Sequence, residues 1–514
     1  VLKQPRLQAG LFLVYIEFNM MRFTSTQLLF IASAITAVPS AVLAQVAPKQ
    51  PSTPTTPAPN EAPPSIVPAT TAAPPQTPDT PGAIWVAASP KNFDAANRPA
   101  EQPIDMVVIH DIEGSAESAV NWFQNPQARA TSHYVVNSTT GQVWQMVKEH
   151  DIAWHAGNYA INKRSVGIEH EGYAYRPGFY NPVEYEASAK LVRSITSRYN
   201  IPRDRTHIIG HSEVPHPTKP GLFGGASGHT DPGPYWDWDS FMTLVRNDAQ
   251  AGEHNFPTVI HPGELIEAAA TFTNTGDDAW PSDKAGAADP ALQARGPVYL
   301  GTWNPQGGSS PFFNYKFWTS PRLASEAVDG EVALGAKGRF AFTLLGPRQL
   351  GEVREDFRLI KVAPAPKVPV GFGDIISTTI RVEPWEIIQD TAQPGFTASG
   401  WTAGAGMVSR KVAAADEPAA PAQWTVPLRI SGDWDVYARW PGGSAHSRQA
   451  SYQVDAADGT HTVVVDQRKG GDWYKLGRYR FNDPTGVKVR LSAQGTRGTV
   501  VADAVRFVGP FPTP

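Results

Sequence analysis

Cysteine is absent from the 514 residues. That excludes a disulfide scaffold and every thiolate metal site, so any metal has to be held by His, Asp or Glu. A helical His-Glu-x-x-His motif is missing as well, which removes the usual helical zinc signature. Basic blocks are lacking, and 44 Lys and Arg against 48 Asp and Glu leave a net charge of −4; nothing here attracts nucleic acid. Long apolar runs are scarce. The candidate, Leu28 to Leu43, is short, is interrupted by Pro39 and leads into a polar Pro-rich stretch. With Met21-Arg22 before it and Val42 and Ala44 at the −3 and −1 positions of a cut, it reads as a signal peptide rather than a stable membrane span. Val1 to Asn19 precede that signal awkwardly, so Met20 or Met21 is the expected start.

What is present divides the chain into five parts. Residues 1–45 are the start region and signal peptide, and 46–82 form a linker, with 12 prolines between 48 and 82, that cannot bury a core. Residues 83–252 alternate short apolar runs with amphipathic stretches, the pattern of an α/β domain with a mixed central sheet flanked by helices. Met106 to Ile109, Val166 to Glu169 and Thr206 to Ile209 read as strands. Ser115 caps a helix through Trp122 and Phe123, and Thr140-Gly141 turns a hairpin. Tyr185, Ala189, Val192, Ile195 and Tyr199 recur at helical spacing ahead of Asn200, and a last helix runs from about Asp239 through Val245. Beyond 252 helical periodicity fades into short β-rich runs. Residues 253–384 and 385–514 are expected to form two all-β sandwiches, the first immunoglobulin-like.

Chemistry concentrates in the α/β part. His110 and His211 each follow a buried strand, so parallel strands can bring both imidazoles to one rim of a sheet. Asp231 begins the rigid turn Asp231-Pro232-Gly233-Pro234. Two His and an Asp with a fourth position open is the ligand set of a catalytic zinc site. Taken singly, each of these histidines is more often a hydrogen-bonded core or surface residue than a ligand.

Val107-Val108-Ile109-His110, Ser132-His133-Tyr134-Val135-Val136, Ala153-Trp154-His155-Ala156-Gly157, Ser165-Val166-Gly167-Ile168-Glu169, Ile209-Gly210-His211 and Asp231-Pro232-Gly233-Pro234 occur here in one order. In this the chain resembles the type-2 N-acetylmuramoyl-L-alanine amidases, which share a fold with phage lysozyme-type amidases and peptidoglycan recognition proteins. The resemblance implies a Zn2+ cofactor held by His110, His211 and Asp231, with Glu169 as general base on the activated water. It implies peptidoglycan as substrate, cut between the lactyl group of N-acetylmuramic acid and L-alanine. His229 stands where many relatives carry an oxyanion-stabilising Lys, so its contribution would depend on pH. Trp154 and Asn162 are expected in the substrate groove, His155 either there or behind a metal ligand, and His170, on the other strand face from Glu169, in packing. A structural carboxylate remains the alternative for Glu169, and a loop residue or competing ligand for His229.

Gly432-Asp433-Trp434-Asp435-Val436-Tyr437, Trp473-Tyr474-Lys475-Leu476-Gly477 and Ala502-Asp503-Ala504-Val505-Arg506 resemble the golvesin C-terminal type of domain, which implies attachment to cell-wall glycan. The whole is expected to be secreted, periplasmic or cell-wall associated. The rival expectation is a peptidoglycan-binding protein without catalysis.

Overall fold

The computed structural model describes residues 77–512 apart from 217–228, 283–295, 305–307, 363–368, 404–407 and 413–419, with backbone alone for 408–412. The expected signal segment, and the Pro-rich linker up to residue 76, lie outside the described residues.

The first layer is a six-stranded mixed sheet. Its strands are β1 (Ile84–Trp85), β3 (Met106–Asp111), β4 (Tyr134–Val136), β5 (Val143–Gln145), β7 (Ser165–His170) and β8 (Ile208–Gly210), in the order β1-β5-β4-β7-β3-β8, while β2 (Phe93–Asp94) pairs apart with β6 (Ile152–Ala153). Strands β4, β7, β3 and β8 run parallel, and β5 returns antiparallel through the Thr140-Gly141 turn. Helices α1 (Ala116–Gln124), α2 (Tyr159–Asn162), α3 (Pro182–Tyr199) and α4 (Trp238–Arg246) surround it.

Local chemistry explains these elements. Ser115 accepts a hydrogen bond from the Ser118 backbone N–H at the start of α1, a cap worth about 1 kcal/mol. Asn181 does the same for α3, whose chain reverses at Asn200 in the left-handed region, φ 55°. One face of α3 (Tyr185, Ala189, Val192, Ile195) buries against Val107, Ile109, Val166 and Ile168. Each such fully buried aliphatic side chain contributes roughly 1.5–3 kcal/mol. The opposite sheet face is covered only in part. Ala116, Ala119 and Phe123 of α1 pack on Val135, while Ala156 and Ile161 pack on Val108 and Ile209. Asp111 at the end of β3, Ile112 after it and Glu169 of β7 line a cavity together with α1.

Two all-β regions follow. In the first, a five-stranded sheet containing Val298–Thr302, Gly351–Lys361 and Val370–Val382 faces a three-stranded sheet of Ala249–His254, Leu265–Asn274 and Lys337–Leu345. Phe342 meets Phe357 with 5.3 Å between ring centres. Its core is continuous with that of the α/β layer. The second region packs four- and five-stranded sheets around Trp424, Trp434, Tyr452 and Phe507, with a small third sheet beside them. Among the described residues no helix is long and apolar enough to cross a membrane.

Candidate metal centre

Register builds the site. In the parallel pair β3–β7, His110 lies opposite Glu169, and in β3–β8 Ile109 lies opposite Gly210, so His211 emerges next to His110 on the same rim. Asp231 reaches them from the turn after the 217–228 segment. A Cβ on Gly210 would lie 2.8 Å from the Pro232 ring, so the glycine lets this turn approach. The ligand atoms of His110, His211 and Asp231 all lie within 4.8 Å of one another. His110 Nδ1 is 3.3 Å and His211 Nδ1 is 3.2 Å from the Asp231 carboxylate.

The tautomers follow from a hydrogen-bond chain behind the site. The Ser165 hydroxyl donates to the Ile161 carbonyl at 2.7 Å, so its oxygen must accept from His155 Nε2, 3.1 Å away. His155 Nδ1 then carries the lone pair and accepts from His110 Nε2–H at 3.0 Å. That leaves the His110 Nδ1 lone pair facing Asp231 and His211. Burial pushes the His110 imidazole down to about 4 and His155 well below the usual range, so both are neutral at pH 7. Burial would raise the Asp231 carboxyl, but the facing imidazoles of His110 and His211 hold it below the ordinary carboxylate range. Two imidazoles and one carboxylate turned toward one another suit a divalent zinc ion.

Surroundings divide the remaining expected residues. Glu169 lies on the wall of a cavity of about 430 Å³ shared with Asp111, Ser118 and Trp122. Burial, then the charges of Asp231 and Asp111, pushes its carboxyl well above the usual value. His229 is 40 % exposed at its side chain and stacks on His211 at 3.9 Å between ring centres, with Nδ1 3.9 Å from Asp231. Asn162 differs from the groove expectation, and His155 takes the place behind a ligand instead of the groove. His155 is buried behind His110, and a Cβ on Gly167 would come within 2.5 Å of its ring. The Asn162 amide oxygen accepts from the backbone N–H groups of His155 and Ala156 at 3.3 and 2.8 Å, holding their turn from inside. Trp154 is half-buried and donates to Asp94, with Arg129 over its ring. His170 donates from Nδ1 to the His110 carbonyl and accepts from Ser188, packed on Trp236.

Sequence reading passed over four residues of this neighbourhood. Trp122, taken as part of a helix face, is 51 % exposed and lines the cleft. Asp111 is pushed up to about 6 by burial, against the hydrogen bond from Tyr180. The Tyr180 hydroxyl sits 2.7 Å from both Asp111 Oδ2 and the Pro232 carbonyl. Asp111 was findable as the neighbour of His110; Tyr180, in an irregular loop, carried no signal. Arg98, buried, donates to the carbonyls of Asn162, Lys163 and Ser165 and so fixes the start of β7.

Known proteins match this chain in two separate parts. The family description N-acetylmuramoyl-L-alanine amidase fits residues 100–234, and Golvesin C-terminal domain fits residues 387–509. N-acetylmuramoyl-L-alanine amidase A of Achromobacter lyticus is 32% identical over 179 residues, 32% of this chain and 93% of that protein. AmiD of Escherichia coli, an N-acetylmuramoyl-L-alanine amidase, is 26% identical over 154 residues, 26% of this chain and 51% of that protein. Xanthan lyase of a Bacillus strain is 45% identical over 92 residues, 16% of this chain but 10% of that enzyme. The chain thus spans nearly all of the first relative, about half of the second and a tenth of the third. On the motifs, the convergent triad and the match over nearly the whole of the first relative, the chain belongs to the N-acetylmuramoyl-L-alanine amidase family.

Proposed function

We propose that the chain is a zinc-dependent N-acetylmuramoyl-L-alanine amidase acting on peptidoglycan, secreted, periplasmic or cell-wall associated. The observation that carries this reading is the convergence of His110, His211 and Asp231, with Glu169 opposite His110 on the neighbouring strand. His110 and His211 through Nδ1 and Asp231 through its carboxylate would hold the ion. When bound, zinc supplies Lewis acidity toward water and the scissile carbonyl.

The protein's own groups do the rest. Glu169, with its carboxyl raised by burial, would take the proton from water and return it to the leaving amine of L-alanine. His229 keeps one N–H when neutral and can donate it to the developing oxyanion, a role worth roughly 2.7–4 kcal/mol per donor. Trp122 and Asp111 line the cleft beside Glu169 and would orient the substrate. On this reading residues 83–252 carry the chemistry and 253–384 support them. Residues 385–514 would attach to wall glycan, with Tyr474 47 % exposed and the Trp473 ring flanked by Arg439 and Arg506.

Incubation with purified sacculi tests the reading. New L-alanine amino termini should appear, vanish after chelation and return with added zinc. Zinc uptake without new amino termini would instead favour a binding protein without catalysis.

A further inference from the structure

The α/β layer and the first all-β region meet in a cavity of about 330 Å³ that the metal centre does not use. Its walls come from Tyr180 just before α3, from Tyr185 and Glu186 in the first turns of α3, from Tyr235 after the Asp231 turn, and from Trp303 and Gly371 across the junction. The two sides are fixed to each other. Arg358 of the β region bonds Glu186 at 2.7 Å and lies over the Trp303 ring at 4.8 Å. Arg246 pairs with Asp278, Arg203 pairs with Asp277, and one apolar core runs through both sides. A cavity between rigid partners exists before any ligand arrives, which is where small ligands bind best.

Lining chemistry narrows the occupant. Four aromatic side chains offer flat apolar faces, and polar groups remain at the edges. Glu186 uses one carboxylate oxygen on Arg358, and the Tyr185 hydroxyl accepts from the Asp237 N–H, which leaves its own hydrogen to give. Tyr235 is 46 % exposed. Arg358, over the Trp303 ring, is already paired with Glu186, and no cation stands among the described lining residues. Apolar faces with hydroxyl and carboxylate partners suit an uncharged ring that is apolar above and below and polar around its edge. The volume lies at the small end of the roughly 300–1,000 Å³ usual for ligand pockets.

Position ties the cavity to the cleft. Tyr180 turns its ring into this cavity while its hydroxyl contacts Asp111 and the Pro232 carbonyl beside Asp231. We infer that this junction binds an N-acetylated sugar ring of the glycan strand whose stem peptide is cut at the metal centre. The choice of glycan rests on the proposed function; the cavity does not.

Titration calorimetry of the full chain with chitotetraose tests the inference, using wild type, His110→Ala, Tyr235→Phe, Tyr235→Ala and Trp303→Leu. Wild type, His110→Ala and Tyr235→Phe should bind within about two-fold of one another. Tyr235→Ala and Trp303→Leu, from opposite walls, should each lose at least five-fold, and Tyr235→Ala should raise KM on sacculi several-fold while kcat on a soluble monomeric muropeptide stays unchanged. Absent binding by wild type, or wild-type affinity in the two wall variants, overturns the site. The calorimetry decides this even if no amide is ever cut, so it separates failure of the site from failure of the amidase reading.

Discussion

His110 Nε2 lies 3.0 Å from His155 Nδ1, and this contact determines which nitrogen of His110 faces the Asp231 carboxylate. The direction of that bond is inherited from Ser165, whose single proton is committed to the Ile161 carbonyl.

Removing the imidazole should therefore loosen the metal without touching a ligand. His155→Phe is expected to weaken zinc binding about 10–100-fold, the usual cost of losing such a partner, and Ser165→Ala by less. Competition with a chromogenic chelator measures both. Unchanged affinity in His155→Phe would mean that His110 orients itself.

Space for His155 depends on a missing side chain. Gly167→Ala puts a Cβ within 2.5 Å of the imidazole, an overpacking expected to cost about 1–3 kcal/mol of stability. Chemical denaturation should show it, together with reduced zinc uptake. Wild-type stability in this variant would show that the ring has room to move.

Proton transfer by Glu169 predicts a split between binding and turnover. Glu169→Gln should keep its zinc and lose about 10²–10⁴-fold in kcat. If the variant instead loses zinc, the carboxylate serves to orient the triad rather than to carry protons.

A second buried carboxyl makes stability depend on pH. Glu184 is fully buried on α3, neither oxygen makes a hydrogen bond, and burial followed by the charges of Asp111 and Glu171 pushes it up to about 9. Unfolded, it ionises near its ordinary 4.5. Between those values the folded chain holds a proton that the unfolded chain releases, so this residue makes stability fall as pH rises. Glu184→Gln should gain at least about 1 kcal/mol more at pH 8 than at pH 5, each whole pKa unit being worth about 1.4 kcal/mol. Urea titrations at the two pH values check it, and an equal effect at both would refute a protonated Glu184.

Much of the α/β layer was legible because its signals are local. Apolar runs ending in His110, Glu169 and Gly210 announced the parallel strands, Ser115 announced α1, and Asn200 closed α3. Convergence of the triad could be anticipated because parallel strands in register align their carboxyl ends. Less legible was anything set by burial at a distance. Motif position, which put Asn162 in the groove and left His155 open between the groove and a place behind a ligand, does not tell whether a side chain points into a cleft or behind it. Gly167 decides that for His155, through a contact no spacing rule contains. The strand Ala249–His254, with sequence AQAGEH, lacks apolar alternation and is held by pairing with Leu265–Asn274. The cavity beside Tyr235 needs two regions folded against each other, and neither segment alone hints at it.

Zinc content measured together with L-alanine amino termini released from sacculi, for wild type and His110→Ala, tests the central claim most directly. Wild type should carry about one ion per chain and release amino termini, as one three-ligand catalytic site requires, while His110→Ala does neither yet unfolds like wild type. Release at the wild-type rate by a folded, zinc-free His110→Ala protein would contradict the account.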